Sequence, residues 1–287
     1  MKKSGNVCFI GQPNVGKSTL TNHYLDIPLA IESPRPQTTW YAVKGLLKHP
    51  KANIVLTDTP GIHNAIHRTQ NQEMNRIAYS VISQADIICH LVTPHSWSEK
   101  DTYIHDFIKQ SNKHTILVIN KIDQYKDHLL FPFIAEMQTK EHYNSVFSIC
   151  AKNGLNSEIL LDEIIEKLPE KNQHLPTQNI HDHTTAFLAQ EMVREQLMQQ
   201  LLSEMPYTTF IEVFHTEEKN KTLHIDINLH VKHIGQKKII IGKSGSQIKQ
   251  IGQVARKRLQ VILKKRIMLR LWVKINPQTA GNLYIEN

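Results

Sequence analysis

Four short strings hold the residues best suited to chemistry. The first, Gly11-Gln12-Pro13-Asn14-Val15-Gly16-Lys17-Ser18-Thr19, fits G-x-x-x-x-G-K-[ST]. It follows the apolar run Val7-Cys8-Phe9-Ile10 and precedes Thr19–Leu25, which can continue as a helix. That strand–loop–helix setting is what a phosphate-binding loop requires. The glycines let main-chain N–H groups face inward, and the helix offers its positive N-terminal end. Lys17 is expected to reach the β- and γ-phosphates and Ser18 to hold Mg²⁺, with Gly11, Asn14, Val15, Gly16 and Thr19 completing the cradle. A glycine turn with an incidental Lys-Ser is the plain alternative, and the rest of the chain has to decide between them.

The other three strings follow apolar runs. Asp58-Thr59-Pro60-Gly61 comes after Ile54-Val55-Leu56; Asp58 can organise the water around Mg²⁺, and Gly61 N–H can approach a γ-phosphate. Asn120-Lys121-Ile122-Asp123 comes after Ile116-Leu117-Val118-Ile119. The Asp123 carboxylate can accept from guanine N1–H and N2–H₂, a donor pair that adenine lacks. Lys121 can lie over the ring while Asn120 ties its loop to the phosphate loop. Cys150-Ala151-Lys152 ends a third run, where Ala151 N–H could meet guanine O6. Between phosphate loop and second strand lies Ser33-Pro34-Arg35-Pro36-Gln37-Thr38-Thr39-Trp40. A hydroxyl there that joins the Mg²⁺ shell only when a γ-phosphate is present would order this loop and release it after hydrolysis. Thr39 is preferred and Thr38 is the fallback, since spacing does not separate neighbours. Asn14, Lys17, Thr39 and Gly61 form the expected catalytic set.

To position these strings, strands are expected at 7–11, 41–48, 53–58, 86–92, 114–120 and 145–150. Helices are expected near 17–25, 72–83, 99–111, 129–140 and 155–168. Such alternation indicates an α/β domain with a mostly parallel sheet, whose ligands sit beyond the carboxyl ends of the strands. The domain is expected over 1–170, followed by a polar, His-rich linker over 171–185 interrupted by Pro176. Beyond it, 186–202 has helical spacing, and two alternating stretches, 208–215 and 222–231, flank a polar connection, 216–221. A short helical run to Ile241, the loop Gly242–Gly245, a basic helix over 246–264 and a strand over 267–275 complete the chain.

Charge separates the two parts. The formal net charge is +8, yet residues 232–287 carry thirteen Lys and Arg against the single acid Glu286. The remainder has 21 basic residues against 25 acidic ones. This asymmetry points to a polyanionic partner for the C-terminal part. Cys8, Cys89 and Cys150 lie in apolar runs without C-x-x-C pairing, as reduced core residues of a cytosolic protein would. No apolar run approaches the length of a signal sequence or membrane span, so neither export nor insertion is expected. His63 with His67, and His181 with His183, have no third ligand beside them, and no metal site is expected there.

Gly242-Lys243-Ser244-Gly245 has the G-x-x-G signature of a KH domain. Its glycines let a nucleic-acid backbone pack against main-chain N–H groups, with bases in an adjoining apolar groove. Ile248, Ile251, Val254, Ala255 and Leu259 share one helical face, and Lys249, Arg256, Lys257 and Arg258 decorate the rest. The order αββααβ over 186–275 is that of a type II KH domain, an α+β fold. Lys238, Gly242, Lys243, Ser244, Gly245, Lys249 and Arg256 are the expected RNA contacts, with single-stranded RNA favoured over duplex DNA. A solvated basic face, or one lying on anionic lipid, is the alternative.

The motifs resemble those of the translation-factor-related bacterial GTPases, and of the Era-type GTPases in particular. Gln37-Thr38-Thr39, Asp58-Thr59-Pro60-Gly61-Ile62-His63, Met205-Pro206-Tyr207, Gly235-Gln236-Lys237-Lys238, Ala255-Arg256-Lys257 and Leu271-Trp272-Val273-Lys274 carry that resemblance over nearly the whole chain. It implies a Mg²⁺-dependent GTPase cycling between GTP and GDP. The implied partners are the 3′ end of 16S rRNA and the small (30S) ribosomal subunit, during maturation and assembly. A cytoplasmic monomer is expected, with peripheral contact at the inner face of the membrane as a further expectation. Ile62 stands where many small GTPases have a water-orienting glutamine. In related GTPases with an apolar residue there, an asparagine matching Asn14 helps bind K⁺, so slow, K⁺-assisted hydrolysis is expected. Cys150 replaces a usual serine and Trp40 a usual arginine. A nucleotide-gated RNA-binding module without significant catalysis, and an ATP-using kinase, stay open as rivals; Asp123 speaks against the second.

Overall fold

The computed structural model describes residues 2–33, 35, 38–62, 69–94, 97–170, 181, 183–202 and 204–277. Pro34, Pro36 and Gln37 of the threonine loop, His63, His67 and most of the expected linker lie outside the described residues. The chain divides into two compact units; apart from the loop 33–35, which groups with the second, the division falls between residues 182 and 183.

In the first unit, β1 (Lys3–Gly11) is followed by α1 (Lys17–Leu25), β2 (Val43–Lys48), β3 (Ala52–Asp58), α2 (Thr69–Gln84) and β4 (Ile87–Val92). Then come α3 (Glu99–Lys109), β5 (His114–Ile119), α4 (Asp127–Gln138), β6 (Ser145–Ser148) and α5 (Ser157–Lys167). The sheet order is β2-β3-β1-β4-β5-β6. Only β2 runs antiparallel, with Val43 opposite Asp58. Val7, Cys8, Phe9 and Ile10 are all at most 1% exposed, because helices cover both faces of this central strand. Beneath α2 and α3, Cys8, Ile10, Ile62, Ile82, Ile88 and Ile104 form one core cluster, each large aliphatic contributing roughly 1.5–3 kcal/mol by burial. A second cluster joins Val92, Leu117 and Ile119 to Phe133 and Met137 of α4. β1 begins four residues before its apolar run, because Lys3–Asn6 pair with Ala52–Val55 of β3. That pairing has no hydrophobic signature.

The second unit contains α6 (Thr185–Gln200), α7 (Met205–Thr208), β7 (Phe210–Lys219), β8 (Thr222–Val231), α8 (Ile234–Ile241), α9 (Ser246–Leu263) and β9 (Arg266–Ile275). Its sheet runs β7-β8-β9, with β7 antiparallel and β9 parallel to β8. The expected polar connection at 216–221 is corrected: β7 continues to Lys219, and only Asn220 and Lys221 turn. Both have positive φ, 52° and 60°, as a tight two-residue hairpin needs. Polar residues hid the strand because this end of β7 is exposed. Ile225, Ile227 and Leu229 of β8 are buried with Ile251, Ala255 and Leu259 of α9.

Candidate nucleotide site and nucleic-acid groove

β1, β3, β5 and β6 deliver the four sequence strings to one edge of the first sheet. At the phosphate loop, Gly16 has φ 101° and stands at the N-cap of α1, where no side chain caps the helix. The first-turn N–H groups are therefore left for an anion. A Cβ on Gly16 would lie 2.1 Å from Asn120 Nδ2, so glycine is required by space as well as by backbone conformation. Asn14 is also left-handed, at φ 65°, and exposed.

Lys17 Nζ is buried and donates to the carbonyls of Gly11 (3.1 Å) and Gln12 (2.8 Å). Burial pulls its pKa down to about 8, against the raising effect of Asp58. Burial pushes Asp58 up to about 6, opposed by Lys17 and by hydrogen bonds from Ser18 and Thr39. Ser18 Oγ donates to Asp58 Oδ2 at 2.6 Å, and Thr39 Oγ1 lies 3.3 Å from Ser18 Oγ and 3.4 Å from Asp58 Oδ2. Thr39 thus brings a third oxygen to this pair. Asp58 Oδ1 is buried and has no hydrogen-bond partner among the described residues. Two hydroxyls and a carboxylate with a spare oxygen form a hard donor set that fits Mg²⁺.

Gly61 follows directly. A Cβ there would meet Pro13 at 2.7 Å, so the Asp58 loop closes against the phosphate loop. Ile62 turns the other way: it is 1% exposed, inside the α2–α3 core cluster. Thr19 Oγ1 is engaged by Glu32, at 3.0 Å.

Asn120 holds the base-side loops together. Its Nδ2 donates to Val15 O at 2.8 Å, and its Oδ1 accepts from Ala151 N at 2.9 Å. The Ala151 N–H, expected on guanine O6, is thus directed at Asn120. Lys121 adopts φ 63°, and burial lowers its pKa despite Asp123. Asp123 and Lys152 are exposed. Cys150 is buried; burial first, then the neighbouring Asp123 carboxylate, pushes its thiol up.

Sequence reasoning missed Gln12. Its Nε2 donates to Ser98 Oγ at 3.0 Å and to the Asp101 carboxylate. Ser98 and Asp101 form the capping box of α3, and the S-x-x-D pattern itself was a readable signal for that helix start.

In the second unit, Gly242 and Gly245 have φ 73° and 78°, and a Cβ on Gly245 would meet nothing within 4 Å. The loop's outer side is therefore open to a backbone. Lys238, Lys243, Ser244, Lys249 and Arg256 are exposed. Beside the loop, Ile248, Lys249, Gly252, Arg256, Leu269 and Leu271 line a groove of about 270 Å³ between α9 and β9. Ile248, read from sequence as part of the core stripe, lines this groove. Arg258 is tied inward, its guanidinium 2.9 Å from the fully buried Glu195 carboxylate of α6.

Residues 6–121 match the model of the 50S ribosome-binding GTPase family, and residues 204–279 match the KH domain. The chain is 36% identical over 274 residues to GTPase Era of Pseudomonas aeruginosa, covering 95% of this chain and 90% of that protein. It is 37% identical to GTPase Era of Pseudomonas syringae pv. tomato, covering 95% and 91%. Among solved structures, an Aquifex aeolicus Era variant bound to GDP·AlF4− superposes with TM-score 0.89 at 33% identity, covering 96% of this chain and 95% of that one. Era in complex with MgGDPNP and nucleotides 1506–1542 of 16S ribosomal RNA superposes with TM-score 0.91 at 34% identity, covering 98% and 96%. With a phosphate loop, a guanine-type N-K-x-D string and a KH unit in one order over nearly its whole length, this chain belongs to the Era family of GTPases.

Proposed function

We propose that this protein is a GTP-hydrolysing switch that holds the 3′ end of 16S rRNA in its KH groove and assists maturation and assembly of the small ribosomal subunit. The observation that carries the switch is the meeting of Thr39 with Ser18 and Asp58. Thr39 comes from the loop between α1 and β2, so a Mg²⁺ ion bound with GTP would draw that loop onto the phosphate loop, and hydrolysis would release it. Lys17 neutralises the β- and γ-phosphates, and Gly61 N–H meets the γ-phosphate. Asp123 reads guanine, with Lys121 along the base. Gly242, Lys243, Ser244 and Gly245 clamp the RNA backbone, and Lys238, Lys249 and Arg256 add phosphate contacts.

Because Ile62 is committed to the core, hydrolysis is slow without a further positive charge. Asn14, at the open side of the phosphate loop, is the proposed K⁺ ligand. Equal turnover in Na⁺ and K⁺, with an unaffected Asn14→Ala variant, would remove the ion. The principal test is phosphate release with and without an RNA carrying the 16S 3′ end. RNA is expected to accelerate release; no release in either condition would leave a nucleotide-gated RNA-binding module. Crosslinking in cells that recovered messenger rather than small-subunit RNA would sink the ribosomal assignment. The protein is proposed to act as a cytoplasmic monomer. Among the described residues no helix is long and apolar enough to cross a membrane, so the proposed contact with the inner membrane face is peripheral, and flotation with vesicles tests it.

A further inference from the structure

β9 is an outer strand of its sheet, and its two faces differ. Leu269 and Leu271 line the groove beside α9. Met268, Arg270, Trp272 and Lys274 alternate with them on the opposite face, and all four are exposed, as a two-residue side-chain period dictates. There Trp272 is 40% exposed and Phe214 of β7 48%, with ring centroids 5.5 Å apart. The two rings lean together across β8, whose Asp226 and Asn228 are buried.

Cations frame this pair. The Arg270 guanidinium lies 5.6 Å from the Trp272 centroid and Lys274 Nζ 5.4 Å from that of Phe214. The nearby carboxylates are already engaged. Asp226 accepts from Arg270 at 2.6 and 2.7 Å, and Glu212 is bonded to Asn228 at 2.9 Å and His230 at 2.7 Å. Asp226 thus balances the Arg270 charge, and the outward chemistry is two aromatic rings with the Lys274 ammonium beside them and the partly exposed Glu212 carboxylate at their edge. Flat π-surfaces beside cations suit unpaired bases and their phosphates.

We propose that this face is a second RNA-contacting surface: bases of the strand that leaves the groove stack on Trp272 and Phe214, with Lys274 beside their phosphates. The proposal rests on the groove reading, because a single strand of RNA passing over the edge of β9 would meet both faces of that one β-strand.

The test uses the full chain with Trp40→Phe and Trp97→Phe, so that Trp272 is the sole tryptophan and is excited selectively, and compares it with Phe214→Ala and Trp272→Ala variants, affinities being read from the anisotropy of a dye-labelled RNA. An oligonucleotide of about four nucleotides, the length a KH loop clamps, is expected to bind all of them equally and to leave Trp272 unquenched where it is present. One of about twelve nucleotides is expected to quench Trp272 and to lose roughly tenfold in affinity for each ring removed. Unchanged affinity for the longer RNA, with Trp272 unquenched, would overturn the proposal while leaving the groove intact. Gly245→Asp is expected to weaken both lengths; indifference of both to it would sink the groove reading and the proposal with it. Quenching by phosphatidylglycerol vesicles but not by RNA would assign the face to lipid and overturn the proposal.

Discussion

Gln12 and Asp101 join the phosphate loop to the start of α3: the Gln12 side-chain amide donates to the Asp101 carboxylate, while the Gln12 carbonyl receives Lys17 Nζ. The residue that shapes the lysine's seat is thereby fixed to a neighbouring helix rather than to its own loop. Gln12→Ala is expected to weaken nucleotide binding by up to about 1.5–3 kcal/mol, the scale of a hydrogen bond to a charged group. Fluorescent GDP titration measures it. Gln12→Glu, which sets like charges together, should bind more weakly still; equal affinity in all three proteins would refute the tie.

Ile62 occupies the position where a glutamine would orient water in many small GTPases, but its side chain is core. Ile62→Gln is therefore expected to cost about 2–4 kcal/mol of stability, by losing apolar burial and stranding an amide. It should not accelerate hydrolysis. Chemical denaturation and single-turnover phosphate release read the two effects separately.

Arg258 and Glu195 pin α9 to α6, with the Glu195 carboxylate wholly buried. Removing Arg258 alone takes away the cation paired with that buried charge. Arg258→Ala is expected to cost about 3–5 kcal/mol, whereas the double change Glu195→Leu with Arg258→Leu should recover most of it. Urea melts of the unaltered chain, Arg258→Ala and the double variant measure both effects.

His90 is buried, its Nδ1 2.6 Å from Tyr143 OH and its Nε2 3.7 Å from Asp101 Oδ1. Burial lowers its pKa below the ordinary 6.5; Asp101 opposes this, and His105 and Lys17 add to it. The unfolded chain then binds the proton more readily, so stability is complete above pH 6.5 and declines as pH falls below it. Asp58, pushed up to about 6, contributes with the opposite sign as pH falls, so the decline should appear as the difference between thermal melts of the unaltered chain and His90→Gln from about pH 8 down to about pH 5. Identical curves would mean His90 does not couple to folding.

Much of the nucleotide site was legible because its parts are local. A phosphate loop needs glycines and a lysine within nine consecutive residues, and the Asp58 and Asn120 strings each follow a run of largely buried β-branched and aliphatic residues. The type II KH order was legible for the same reason, from the G-x-x-G loop and the charge on its helix. Where strands relied on pairing instead of apolar content, as at Lys3–Asn6 and Thr216–Lys219, the sequence carried no signal.

Tertiary structure alone decided what depends on convergence. Thr38 and Thr39 are equivalent by spacing, and only the fold brings Thr39 to Ser18 and Asp58. Arg256 and Arg258 are both basic residues on one helix; packing against α6 turns the second inward to Glu195 and leaves the first on the groove. Trp272 and Phe214 lie far apart in the chain and meet only because β8 separates their strands by one place. Residue types and their local spacing determined which chemistry this protein carries. Which atoms meet was decided by the sheets and helices, because hydrogen bonds and ring contacts act over a few ångströms and the chain brings distant residues that close only when it folds.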